Sequence, residues 1–445
     1  MARVAVIGSG VAGLAVAHGL ADVAHVTLFE AGKHFGGHAH TVDVTLEGKT
    51  HGVDIGFLVL NDRTYPQLLA LFKQLDVALA PSDMSFSVQV PQTGLEWCGS
   101  NLNSVFAQRS NLVRPSFWWL LIEVLRFNRL ATREAIALES GTAGYSGTIG
   151  EFLDRHGFGS GFRDGYFLPM VACIWSCPTD QMLRFPLQTL LRFCHNHGLL
   201  QISNRPQWMT VVGGSQRYVE KIVHAIPDAR LGCPVRAVRR PVQPGESVFV
   251  QTDAGTEAFD AVVLACHADQ SLALLEAPSQ AEREVLGAIR FQANRAVLHT
   301  DASLLPQRPL AWAAWNYVRA PDATREGSRV CLHYLINRLQ PLPFSTPVIV
   351  SLNPITEPRA DCVIGDFAVD HPVFDQAAIA AQERLPSIQG LNSMWFCGAW
   401  TRYGFHEDGV RSANAVLQGL RAQLLAEKPS HAQSSPPHQP GAEAL

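Results

Sequence analysis

An α/β fold built around a dinucleotide-binding crossover is predicted by three features of the first thirty residues. The stretch VAVIGSGVAGLAVAHGL, residues 4–20, sets Gly8, Gly10 and Gly13 at G-x-G-x-x-G spacing between an apolar strand and an Ala-rich helix. A second strand, His25 to Phe29, ends in Glu30, about 20 residues beyond the glycines, where a Rossmann-like unit carries its acid. In such a unit Gly8 allows the tight turn, Gly10 admits a pyrophosphate to the backbone, and Gly13 lets helix and strand pack closely. Val11 and Ala12 open the helix, whose unpaired amides and positive dipole end attract phosphate. Glu30, with Ala31 beside it, is placed to accept hydrogen bonds from ribose hydroxyls.

Composition narrows the function classes. A chain of 445 residues, 47% hydrophobic and 17% charged, has enough apolar material for two or more domains. A net charge of −4 and a pI near 6.5 leave no basic footprint for nucleic acid. The first strand starts at Arg3, which leaves no room for a signal peptide, and no run of 18 or more apolar residues occurs. The expected location is the cytoplasm or the inner face of its membrane. Nine cysteines, an odd number spread through apolar segments, read as reduced thiols. Cys173, Cys177, Cys194, His195 and His197 lack the spacing of a zinc knuckle, so no metal is expected.

Beyond Glu30, Gly36 and Gly37 make a second flexible turn before the alternating strand Val42, Val44, Leu46, and this second turn argues for a cofactor longer than NAD. Residues 52–76 run from a strand into an amphipathic helix with Leu68, Leu71, Phe72 and Leu75 on one face. Strand pattern follows from Pro81 to Trp97. Residues 115–209 are aromatic and mostly helical. PSFWWLLIEVLRFNRL is apolar nearly all round from Phe117 to Ile122 and then gains Arg126 and Arg129, which suits either a buried helix or one lying in a membrane interface. Met170, Trp175, Trp208 and Met209 suit an apolar pocket or a core equally. A helix after Gly213 and Gly214, a strand from Val235 and the strand of FDAVVLACHA return to the nucleotide unit. Strands near Ala296–Thr300 and Arg329–Leu335 follow, with Trp312, Trp315 and Tyr317 between them. The last strand reaches Gly398, and a helix is expected from Gly409, with Val410, Ala413, Leu417, Leu420 and Leu424 buried. The tail SHAQSSPPHQPGAEAL reads as disordered.

The stretch from Glu30 to Thr41, the pair Asp54 and Gly56, and the Gly398 to Gly409 region resemble the flavin-containing amine oxidoreductase superfamily. His34 and His38 stand where that superfamily has arginines, and Ala399 where it has an acid. PMVACIWSCP, RPQWMTVVGGSQRYV and YGFHEDGVRSANAV look like a bacterial group of FAD-dependent oxidoreductases. That group is itself similar to the oxidase-like part of plant cyclopropane fatty acid synthases and to flavin fatty-acyl desaturases. The resemblance implies a GR2-type flavoprotein with a Rossmann-like FAD-binding domain from residues 1–80, 210–275 and 386–427. A discontinuous α+β substrate domain would comprise residues 81–209 and 276–385, with 428–445 as the tail. It implies FAD against Gly8, Gly10, Val11, Ala12, Gly13, Glu30, Ala31, Gly36, Gly37 and His38. Ile55, Gly56, Phe57, Val235, Gly398, Ala399, Gly409 and Val410 would complete that site.

The implied reaction is hydride removal from a C–H bond of an unsaturated, methyl-branched or cyclopropane-type fatty acyl chain, with possible peripheral membrane contact. His406 is the candidate base, expected to titrate near working pH; Glu407 and Asp408 are alternatives. A flavin amine oxidase is the rival, although none of the five lysines, Lys33, Lys49, Lys73, Lys221 and Lys428, falls on the strands between 290 and 340. A non-catalytic lipid- and protein-binding member of the fold is the third reading.

Overall fold

Five short parallel strands, β1 (Ala2–Ile7), β2 (Ala24–Phe29), β3 (Asp228–Arg230), β4 (Ala261–Leu264) and β5 (Met394–Phe396), form one sheet in the order β3-β2-β1-β4-β5. The computed structural model describes residues 1–141, 145, 147–175, 182–201, 205–240, 246–320 and 330–426; the tail 428–445 lies outside them. Val4 to Ile7 and Ala261 to Leu264 are buried throughout, as a parallel sheet covered on both faces requires. The crossover from β1 to β2 is α1 (Val11–Leu20). Its Ala-rich surface lets it pack closely on a second helix from the far end of the chain.

A seven-stranded mixed sheet makes the other half. Its order runs Val363–Pro372, Phe291–His299, Ile349–Leu352, Cys331–Leu335, Trp315–Val318, Phe86–Val90, Leu95–Cys98. Helices between Pro115 and Asn196 cover one side of it. The longest, α2 (Pro115–Glu139), buries Phe117, Leu120, Phe127 and Ala131. Its outward side carries Trp118, Trp119, Ile122 and Leu125, all exposed. The helix is therefore two-faced where the sequence read as apolar nearly all round. No helix among the described residues is long and apolar enough to cross a membrane.

One carboxylate ties the halves together. Asp54, at the end of the strand Lys49–Asp54, accepts from the Ser215 N–H (2.9 Å) and hydroxyl (2.7 Å), the Thr41 hydroxyl (2.6 Å) and Gln340 Nε2 (3.0 Å). Its own N–H donates to Gln340 Oε1 at 2.9 Å. Ser215 precedes α3 (Gln216–His224), and Gln340 follows a turn of helix leading out of the seven-stranded sheet. Burial pushes the Asp54 carboxyl up to about 6 even with four donors around it.

A second buried chain of polar groups stiffens the large sheet. His299 Nδ1 accepts the Asp301 N–H (3.0 Å), which leaves the ring proton on Nε2 to donate to Ser351 Oγ (2.6 Å). Ser351 then donates to His333 Nδ1 (2.6 Å), and His333 Nε2 faces the Cys331 sulfur at 3.6 Å. Three adjacent strands are thus pinned by one hydroxyl. Replacing Ser351 by Ala leaves both rings with an unmet group, so stability in urea should fall by about 1–3 kcal/mol per orphaned partner. An unchanged midpoint would show that the hydroxyl is dispensable.

A candidate dinucleotide and substrate site

The chain end of β1 turns sharply at Gly8, whose φ of 101° belongs to glycine and whose N–H donates to Phe29 O at 2.9 Å. A Cβ at Gly8 would press on the Ala265 and Cys266 backbone, and one at Gly13 would collide with the Gly8 carbonyl oxygen. At Gly10 a Cβ would meet nothing within 4 Å, so the protein itself leaves that space open. Gly10 is also the N-cap of α1 and supplies no side-chain cap, which leaves helix amides facing the gap. The second turn locks onto the first: Gly36 N–H donates to the Ser9 carbonyl and hydroxyl, both at 3.1 Å. Ser9, unremarked in the sequence, also donates its N–H to Glu30 Oε2 (3.0 Å), while Gly32 N–H donates to Oε1 (2.7 Å). Oε1 keeps a lone pair for a further donor.

These turns line a cavity of about 710 Å³. Gly8, Gly10, Val11, Ala12, Glu30, Ala31, Gly36, Gly37, His38, Gly56, Val235, Gly398, Ala399 and His406 all face it. A second cavity of about 220 Å³ adjoins it, with His38, Gly56, Trp315, Tyr334, His371 and His406 in the common wall. Ile55 and Phe57 line this second space and not the first. Gly13 lines neither, because its role is the helix–strand contact.

Two expected residues are elsewhere. The last helix, α4, runs His406–Ala426, one turn earlier than expected. Gly409 therefore sits inside it, where a Cβ would lie 2.6 Å from Val11 Cγ1, and Val410 is in the core. Gly409 permits the α1–α4 contact; the loop from Gly398 to Phe405 faces the cavity in its place. Glu407 accepts the N–H groups of Gln67 (3.1 Å) and Leu68 (2.9 Å), and Asp408 those of Tyr403 (3.2 Å) and Phe405 (3.1 Å). Both carboxylates hold backbone, and neither lines either of these two cavities. Cys177 lies outside the described residues.

His406 stands in the wall between the cavities, stacked on Phe57 with ring centroids 3.7 Å apart and sharing a 3.1 Å hydrogen bond with the Tyr218 hydroxyl. It is not the near-neutral base expected. Burial, helped by His38, pulls its pKa down to about 3, so the ring is a neutral hydrogen-bonding group at working pH. His371, on the last strand of the large sheet, is pulled down to about 3 by burial and by His38 and His267. Burial lowers His38 to about 4 although its ring bonds the Asp370 backbone. His38 Nε2 has no hydrogen-bond partner among the described residues, and a buried nitrogen in that state fits a site built for a further group. His267 and His371 were missed in the sequence. His267 had a signal, since it closely follows β4 at the carboxyl edge of the parallel sheet, where ligands bind; His371 had none.

The open space at Gly10, the uncapped helix and the orphaned His38 nitrogen fit an extended dinucleotide. Residues 6–75 match the NAD(P)-binding Rossmann-like domain family. A CLA-producing fatty acid isomerase from P. acnes superposes with TM-score 0.64 at 16% identity, over 94% of this chain and 98% of that one. Cyclohexylamine oxidase from Brevibacterium oxydans IH-35A gives 0.66 at 15%, over 95% and 99%. A putative protoporphyrinogen oxidase from Exiguobacterium sp. 255-15 gives 0.64 at 16%, over 95% and 99%.

Two outcomes follow from this geometry. Gly10→Ala should fold like the parent, since φ is −61° and the space is free, yet bind added dinucleotide, tested with FAD and NAD in a fluorescence titration, more weakly than the parent; Gly13→Ala should instead lower the melting temperature. Acid should destabilise the chain: unfolded imidazoles take protons from about 6.5 downward, while folded His38, His197, His371 and His406 stay neutral to between about 4 and 3. Asp54 and Asp408, raised to about 6 by burial, and Glu407, also raised by burial, act oppositely by favouring the folded state as pH falls, but they are three groups against eight, since burial lowers His40, His267, His299 and His333 as well. A denaturation midpoint lower at pH 5 than at pH 7 is expected.

On this evidence the chain shares the fold of these oxidases and of the isomerase, and its residues 6–75 match the NAD(P)-binding Rossmann-like domain family.

Proposed function

We propose that this protein is an FAD-dependent oxidoreductase that takes a hydride from a C–H bond of an apolar substrate, an unsaturated, methyl-branched or cyclopropane-type fatty acyl chain. The observation that carries the substrate class is the second cavity: among the described residues its wall holds no Lys, Arg, Asp or Glu. Met84, Met170, Phe193, Leu199, Val350 and Leu352 supply apolar surface there, and the histidines are neutral. An ammonium group entering this space would lose its hydration and meet no counter-charge, whereas an alkyl chain loses only contact with water.

FAD would lie against Gly10, the α1 amides, Glu30, Gly37 and Val235, and when bound it supplies a two-electron acceptor. The chain supplies the rest. Phe405 and Trp315 exclude water from the common wall, and Phe57, stacked on His406, does so from the side of the second cavity. His38, whose ring bonds the Asp370 backbone, has only Nε2 left to meet a neighbour, so it orients a group there. A proton leaving the substrate carbon finds weak acceptors only, which suits a reaction whose difficult step is the hydride. That a protein of this fold is a fatty acid isomerase supports acyl chains as occupants; that another is an amine oxidase makes amines the comparison.

The test is a visible spectrum of the purified protein, followed by anaerobic mixing with unsaturated and branched fatty acids and with a panel of primary and secondary amines. Bleaching of the flavin by acyl lipid and not by amines is expected. Bleaching by amines alone replaces the reading with an amine oxidase, and a protein that neither contains nor takes up flavin ends it.

A further inference from the structure

The outward face of α2 has a composition unlike the rest of the surface. Trp118, Trp119, Ile122 and Leu125 are 46%, 63%, 51% and 53% exposed, and the preceding Leu112 and Val113 are 49% and 83% exposed. Spacing of three to four residues puts the four helix positions on one stripe, and the Trp118 indole N–H donates to Leu112 O at 2.9 Å, joining the stripe to the loop before it. An apolar patch of this kind, rimmed by polar residues, marks an interaction site on a water-soluble surface.

The rim is of one sign. Residues 99–139 contain five arginines and three glutamates in a chain whose net charge is −4, and the last of the three, Glu139, lies at the far end of α2 against His195 Nδ1 at 3.0 Å. Glu123 is buried beneath Arg126 at 3.1 Å, and Glu134 is half-buried and accepts the Tyr145 N–H, so neither offsets the rim. Arg114, Arg129 and Arg133 are exposed and make no ion pair among the described residues. Trp119, the most exposed of the stripe, makes no hydrogen bond among them either.

We infer that this face docks on an anionic phospholipid surface, with Trp119, Ile122 and Leu125 entering the headgroup boundary and Arg114, Arg129 and Arg133 meeting the phosphates. Tryptophan and arginine side by side on a helix that cannot span are what such a boundary selects. A second copy of the chain fits less well, because an isologous contact through this face would bring the same arginines together. The inner side of α2 packs into the same core cluster as Met170 and Cys173 of the second cavity. The inference concerns a surface and stands whether or not acyl chains are the substrate.

The experiment is flotation of the purified full chain with vesicles of phosphatidylcholine alone and of phosphatidylcholine mixed with phosphatidylglycerol. Wild type should float with the mixed vesicles, float at least tenfold less with the neutral ones, and be released by added salt. Trp119→Ser with Ile122→Ser should reduce flotation severalfold at low salt, and Arg129→Glu with Arg133→Glu should remove the preference for the anionic lipid. All four side chains are exposed, so melting curves should match the parent and confirm that the variants fold. Brominated lipid should quench tryptophan emission in wild type and less in Trp119→Ser. Wild type that stays unbound to both vesicles, binding indifferent to the four substitutions, or a wild-type dimer that Trp119→Ser converts to monomer would each overturn the inference.

Discussion

Everything in the candidate site depends on backbone approaching backbone. The contact of Gly13 with the Gly8 carbonyl fixes the pitch of α1 against β1, and the Gly36 N–H bonds to Ser9 fix the second turn against the first. Where a Cβ at Gly37 would fall 3.1 Å from Gly10 Cα, two glycines, one from each turn, share one small volume. That crowding leaves one face of Gly10 empty, and the emptiness is the site. The steric rule is local, which is why the same residues are so readable in a bare sequence.

A second theme is neutrality. The wall between the cavities collects imidazoles and aromatic rings, and burial strips the imidazoles of charge. Hydrogen bonding survives without Coulomb fields: the Tyr218 hydroxyl meets His406, and Asn294 Nδ2 donates to His371 Nδ1 at 2.9 Å. Such a wall can orient a polar end of a ligand while remaining hospitable to carbon. Of the carboxylates near it, Glu407 and Asp408 are turned toward backbone amides, while Asp370 lines the first cavity beside His371.

What was legible follows the range of the interactions. β1, α1, Glu30 and the second glycine turn are set within a few residues of themselves, and the chain places Gly8, Gly10, Glu30, Gly36 and Gly37 around one cavity. The start of α4 was misjudged because Gly409 looked like the loop side of a boundary. The acids Glu407 and Asp408, suited to a helix's first turn, were the better signal. The histidine cluster was illegible for another reason: residues 38, 267, 371 and 406 meet only through the topology of both sheets. Its effect on titration was lost with it, since a side chain's ordinary pKa says nothing about how deeply the fold will bury it.

The strand order of the nucleotide sheet sets a constraint on how this chain is made. β1 is central, yet one of its two neighbours, β4, begins 259 residues after it and β5 completes that side close to the last described helix. During synthesis the first βαβ unit must wait with an apolar edge open until most of the polypeptide has appeared, and such edges pair readily with other chains. The many long-range pairings that close the sheet are slow to find. A fragment ending before residue 394 would lack both β5 and the helix that covers α1, so the two halves of the protein mature together or not at all.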